Sequence, residues 1–114
     1  MDRDVRLRTR IRVQALLRQC QSRGVFAAVV VSGDPDAGAV LVKVNTLGNG
    51  CWVLSQIRLP DGRPAWMRGT GEQAVTEQEA DAYIARQRGY DDDLWVVEVE
   101  DRKGWHPLID EVLL

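Results

Sequence analysis

The chain has 114 residues, the size of one domain, and 45% hydrophobic with 28% charged residues is ordinary globular usage that fits neither a disordered chain nor a coiled coil. No apolar run approaches the roughly 18 residues that cross a bilayer, and the charged start Met1-Asp2-Arg3-Asp4 leads into arginines rather than an apolar secretory core, so a cytoplasmic protein with no membrane attachment is expected. Net charge is −2, unevenly spread: residues 1–24 hold seven arginines against Asp2 and Asp4, a net +5, and the remainder carries −7. The two parts are expected to neutralise each other in the fold, with a basic arm for an acidic partner as the alternative.

In chain order, Val5, Leu7, Thr9, Ile11 and Val13 alternate with arginines, the period of a strand. Val13, Leu16, Leu17 and Cys20 instead fall on one helical face. Residues 5–12 are therefore open between strand and helix, and a helix is predicted over about 10–22, stopped by Gly24. Val25–Val31 is short, β-branched and apolar on both faces, which suits a central strand. The Ser32–Gly38 turn and the run Ala39–Val44 make it the first arm of a hairpin. Cys51–Ile57 and Pro64–Arg68 continue an antiparallel meander, the last strand placed at an edge by its proline. Thr76 and Glu79 form a capping box at the head of a helix over about 76–88, with Ala80, Tyr83 and Ile84 inward and Gly89 at its end. Leu94–Glu100 is a fifth strand of undetermined pairing; Trp95, Val97 and Val99 face one way, Val96, Glu98 and Glu100 the other. The C-terminal Val112-Leu113-Leu114 is expected to pack or fray. The whole predicts one α+β domain over residues 1–114: a two-layer sandwich of order α-β-β-β-β-α-β, an antiparallel meander of four to five strands with two helices on one face.

Candidate chemistry is sparse. Cys20 and Cys51 form no CxxC pair and read as buried reduced thiols rather than a disulfide. Gly69-Thr70-Gly71 lacks the spacing of a phosphate-binding fingerprint and reads as a turn. Asp91-Asp92-Asp93 lacks the spacing of a calcium loop and reads as a solvated run. His106 is the lone histidine, with Glu98, Glu100 and Asp101 just upstream. Glu98 and Glu100, about 7 Å apart on one strand face, permit a small hydrolase or metal-dependent enzyme if all four converge. Against that stands a solvated strand face beside a surface histidine, and no cofactor or metal is assigned. Arg58, Arg63 and Arg68 flank the 60–64 turn, with Trp66 on the face of Arg68. Arginine grips phosphate and tryptophan stacks on bases, so a nucleic-acid-associated protein using these residues and the N-terminal arginines is a second alternative. The acidic balance and the lack of a recognised nucleic-acid motif weigh against it.

Several stretches together resemble a known family: Val13–Arg18, the run from Gly33 through Gly38-Ala39-Val40-Leu41-Val42-Lys43-Val44, Glu79–Ile84 and Asp93–Arg102. In this order they resemble domain-of-unknown-function family 1491. The resemblance implies a small stand-alone bacterial protein and supplies no activity, cofactor or catalytic residue. The leading expectation is a non-catalytic protein-binding or adaptor domain, acting on a protein partner or by self-association. Trp66 and Trp105 are its expected interface anchors, with Arg58, Arg63 and Arg68 beside them, because tryptophan and arginine dominate interface energetics; Trp52 and Trp95 are expected in the core.

Overall fold

A computed structural model describes residues 8–113. The elements follow the expected order: helix α1 (Thr9–Ser22), strands β1 (Phe26–Val31), β2 (Val40–Asn45), β3 (Cys51–Arg58) and β4 (Pro64–Arg68), helix α2 (Glu77–Tyr90) and strand β5 (Trp95–Glu100). Residues 9–12 belong to α1, which decides that part of the strand-or-helix question; residues 5–7 lie outside the described region. Gly24, at φ +70°, ends α1 as expected. Its N–H bonds the Gln21 carbonyl and that of Val25 bonds Cys20, the paired C-terminal closure that a left-handed residue permits. The capping box of α2 is complete, Thr76 and Glu79 each accepting the other's backbone N–H. Gly89 does not end this helix, which continues to Tyr90 and is capped at Asp91.

The five strands lie in the order β1-β5-β2-β3-β4. β2–β3 and β3–β4 are antiparallel, as the meander requires. β1 and β2 do not form the expected hairpin. β5 inserts between them, antiparallel to β1 and parallel to β2, so the sheet is mixed. The β1–β2 loop must therefore straddle the chain entering β5. Gly33 and Gly38 allow this: a Cβ on either would lie 2.0 or 2.3 Å from the Asp93 carbonyl oxygen. The Asp34 N–H bonds that same oxygen, and the Trp95 indole donates to the Asp34 carbonyl at 2.7 Å. The loop also receives α1, whose N-cap Arg8 makes no capping bond with its side chain. The carbonyls of Asp36 and Pro35 instead accept the N–H groups of Thr9 and Arg10, and the Thr9 hydroxyl bonds Gly38.

The helices do not share one face of the sheet. Val13 and Cys20 of α1 pack with Val40, Val42, Val44, Val97 and Val99. Ala80 and Ile84 of α2 pack with Leu41, Val53 and Val96 on the other side. The reason is visible in the inner strands. All six residues of β2 and the first three of β5 are buried, so both faces need cover. β1, expected at the centre, is an edge strand with Phe26 and Val30 more than half exposed. Cys20 and Cys51 are both free and buried, in the two different cores. β4 is the other edge, and the C-terminal segment closes it: Val112 bridges to Trp66, and the Leu113 N–H bonds the Trp66 carbonyl at 2.9 Å. No helix among the described residues is long and apolar enough to cross a membrane.

Candidate binding surface

Strand alternation places Lys43, in the middle of buried β2, on the face covered by α2. Its side chain is 5% exposed, and its ammonium meets Glu77 and Asp81 at 2.8 Å each and Glu98 at 3.7 Å. Glu77 and Asp81 are one helical turn apart on α2, and Glu98 is the register partner of Lys43 on β5. Asn45 donates to Glu77 and Glu98 at 3.3 Å each. Burial would lower the lysine pKa, but hydrogen bonds to Asp81 and Glu77 and the charge of Glu98 raise it above its usual 10.5. Lys43 therefore keeps its proton at neutral pH and fastens α2 to the sheet; it is no nucleophile in this state. Glu100, two residues beyond Glu98, makes no ion pair with a described residue, and burial together with Glu98 raises its carboxyl.

Two clefts flank this cluster. One of about 540 Å³ lies between the turn after β2 and the start of α2. Its carboxylates are already engaged, Glu77 by Lys43 and Glu79 in the capping box. The second, about 160 Å³, runs between β1 and α2, with Val30 and Val31 on one side, Ile84 and Arg88 on the other, and Val96 and Glu98 as floor.

The sheet separates the residues of the expected catalytic cluster. Glu98 and Glu100 face α2, whereas His106 lines a small cleft with Val44, Trp52, Leu54 and Arg68 on the α1 side. His106 is 8% exposed, not a surface residue, and its Nδ1 accepts the Leu108 N–H at 3.2 Å. Asp101 accepts the N–H groups of Lys103 and Trp105, a turn-forming role. The convergence required for a hydrolase or metal site around these four residues is absent. The Asp91-Asp92-Asp93 carboxylates lie within 4.8 Å of one another and are exposed; nothing beside them points to a ligand.

The expected interface residues are also dispersed. Trp66 is 6% exposed and packs in the α1-side core with Trp95, so it is withdrawn from the surface that an anchor needs. Trp105 is half-buried with the Arg23 guanidinium 4.4 Å above its ring. Arg58, Arg63 and Arg68 are exposed; Arg58 donates to the Gly62 carbonyl and Arg63 pairs with Asp61 at 2.7 Å. From α1, Arg12 adds a guanidinium whose Nε is buried with no described partner. Burial and then the charge of Arg58 lower its pKa. We expect Arg12→Met to raise stability by about 1 kcal/mol, by removing an unsatisfied buried donor. Urea unfolding at neutral pH checks this, and a lower midpoint in the variant would contradict it.

Two features escape a reading of the sequence. One signal for the first was present: Lys43 is the single charge in the run Val40–Val44, where both faces are otherwise apolar. The open edge of β1 had no local signal, because it depends on where β5 inserts.

Comparison with known proteins is consistent in fold and length. The family model described as "Protein of unknown function (DUF1491)" matches residues 7–109. A crystal structure of a DUF1491 family protein from Caulobacter crescentus CB15 is 40% identical, with TM-score 0.84 over 95% of this chain and 100% of that one. An NMR structure of a DUF1491 family protein from the same organism gives 40% identity and TM-score 0.82, over 95% and 97%. The solution structure of Atu0922 from A. tumefaciens is 28% identical, with TM-score 0.73 over 84% and 86%. No curated protein matches the sequence.

Proposed function

We propose that this chain, which belongs to the DUF1491 family, is a non-catalytic protein-binding domain of the bacterial cytoplasm that holds an extended segment of its partner along the outer side of β1. The asymmetry of the two sheet edges carries this reading. β4 begins with Pro64, ends with Arg68 and is closed by Val112 and Leu113. β1, Phe-Ala-Ala-Val-Val-Val, has no charge and no proline, and pairs only with β5 among the described strands. Its one irregularity is a bulge between Val29 and Val31. Proteins usually blunt such an edge with charge, proline, bulges or cover, because unpaired N–H and C=O groups template a further strand; β1 has the bulge at its Val29–Val31 end and neither charge nor proline. Backbone pairing would supply affinity, and Phe26 and Val30, 59% and 57% exposed, would supply the apolar contacts.

A blocked hexapeptide of alternating valine and threonine is the neutral probe. We expect it to shift the amide resonances of residues 26–31 and to leave those of β4 in place. In the double variant F26K/V30K the shifts are expected to vanish while the rest of the spectrum is kept, since both side chains are exposed. Shifts confined to other elements, or no shifts at all, would overturn the edge reading.

A further inference from the structure

We propose that the β1 edge selects a cationic strand, one whose lysine or arginine projects over Ala28 toward Glu98 and Glu100. This rests on the edge-docking reading and adds the chemistry of the partner. The register sets out the geometry. Phe26 pairs with Glu100 and Ala28 with Glu98, and alternation puts all four on the face covered by α2. A strand added outside β1 would lie two strand spacings, about 10 Å, from β5. A lysine or arginine from the added strand and a glutamate from β5 together cover that distance. Ala28, the smallest side chain between Phe26 and Val30 in the row, leaves the way over β1 open.

The charge balance gives the sign. Glu77, Asp81, Glu98 and Glu100 gather around a single lysine, Lys43. Glu100 has no cation within ion-pair distance among the described residues. Burial first, and then repulsion from the neighbouring Glu98 carboxylate, raise its pKa. A cation from the partner would relieve this repulsion. Among the described residues, the only other basic group lining the cleft is Arg88, beside Val30 and Val31. The favoured place for the partner's charge is therefore the Phe26–Ala28 half of the strand, and the Val30 half takes an apolar residue. A second copy of the chain would bring the uncharged β1 to the same position and leave the carboxylates unrelieved.

The test uses the full chain and three blocked hexapeptides: valine alternating with lysine, with threonine and with glutamate. Binding is read from the amide shifts of residues 26–31. We expect the lysine peptide to bind at least about tenfold more tightly than the glutamate peptide at low salt, with the gap shrinking as salt is added. Glu100→Gln is expected to narrow the gap and to leave the threonine peptide unchanged. Equal binding of all three peptides would overturn the charge preference and leave the edge reading standing. A gap that Glu100→Gln leaves intact would place the preference elsewhere and overturn the assignment of the partner's cation to Glu100, again leaving the edge reading standing. Failure of every peptide to shift β1 would overturn both, and concentration-dependent dimerisation through β1 without peptide would replace the cationic partner with a second copy.

Discussion

Replacing Lys43 by methionine is expected to cost about 3 kcal/mol of folding stability, a large share of the roughly 5–15 kcal/mol a domain has. The methionine fills similar space, so the loss is electrostatic. Glu98, 17% exposed at its side chain, loses its cation while remaining under α2, and Asn45 keeps only part of the pairing. Glu77 and Asp81 are more than half exposed and recover water, which keeps the total at the lower end of what breaking a buried ion pair costs. Glu77→Gln or Asp81→Asn alone is accordingly expected to cost about 1 kcal/mol or less. Adding Glu98→Leu to the methionine variant is expected to recover much of the loss, because a buried pair replaced as a whole leaves no stranded charge. The pH dependence follows from the raised pKa of Lys43. Its contribution is full below the usual lysine value of 10.5, where both folded and unfolded chains hold the proton, and is lost as pH rises through the folded value. Urea midpoints of wild type and variant at about pH 7, 9 and 11 check this. A gap that is small at neutral pH, or that widens with alkali, would refute it.

Local chemistry was legible in the sequence and long-range placement was not. The capping box of Thr76 and Glu79, the stop at Gly24 and the alternation of Trp95–Glu100 are each fixed by neighbours within a few residues, and each stands in the structure. The hairpin of β1 and β2 failed because two apolar strands joined by a turn look the same whether they pair or leave a gap. What distinguishes the cases is the glycine pair Gly33 and Gly38 against the Asp93 carbonyl, a contact across some 60 residues of chain. The same insertion explains the helices. With β5 beside β2, the middle of the sheet is buried on both faces, and one helix must cover each.

The functional misplacements share that origin. Glu98, Glu100 and His106 are close in sequence, but the turn at Asp101 carries the chain around to the α1 side of the sheet. Composition alone made Trp66 an interface candidate; its position on β4 under the C-terminal segment makes it core. The proposed docking edge inverts the expectation that Val25–Val31 forms the centre of the sheet. An apolar run is equally what a central strand and an unguarded edge look like, and only topology separates them.

Acid is expected to weaken the fold through His106, by up to about 3 kcal/mol between pH 6.5 and about 4. Burial, and then the nearby Arg68, push its pKa down to about 4. Its Nδ1 accepts the Leu108 N–H, so the neutral ring carries its hydrogen on Nε2, and a proton at Nδ1 would remove that bond. A folded value below the unfolded 6.5 means that the unfolded chain takes the proton first. The stabilisation is therefore complete above about pH 6.5 and is lost as pH falls to about 4. Carboxylates titrate in part of the same range, so the comparison that isolates the histidine is His106→Asn, whose side-chain oxygen offers an acceptor but no titration. Its urea midpoint is expected to fall less than that of wild type between about pH 7 and 4, and parallel decline of the two would refute the assignment. Arg68→Gln raises the folded histidine value by removing a positive charge and so shrinks the loss. The strain falls on the segment that His106 anchors. Residues 105–113 lead directly to the bonds of Val112 and Leu113 with Trp66, so protonation loosens the cover of β4 before the sheet itself. Amide exchange at Leu113 is then expected to speed up with acid ahead of exchange in β2, and in His106→Asn to do so much less.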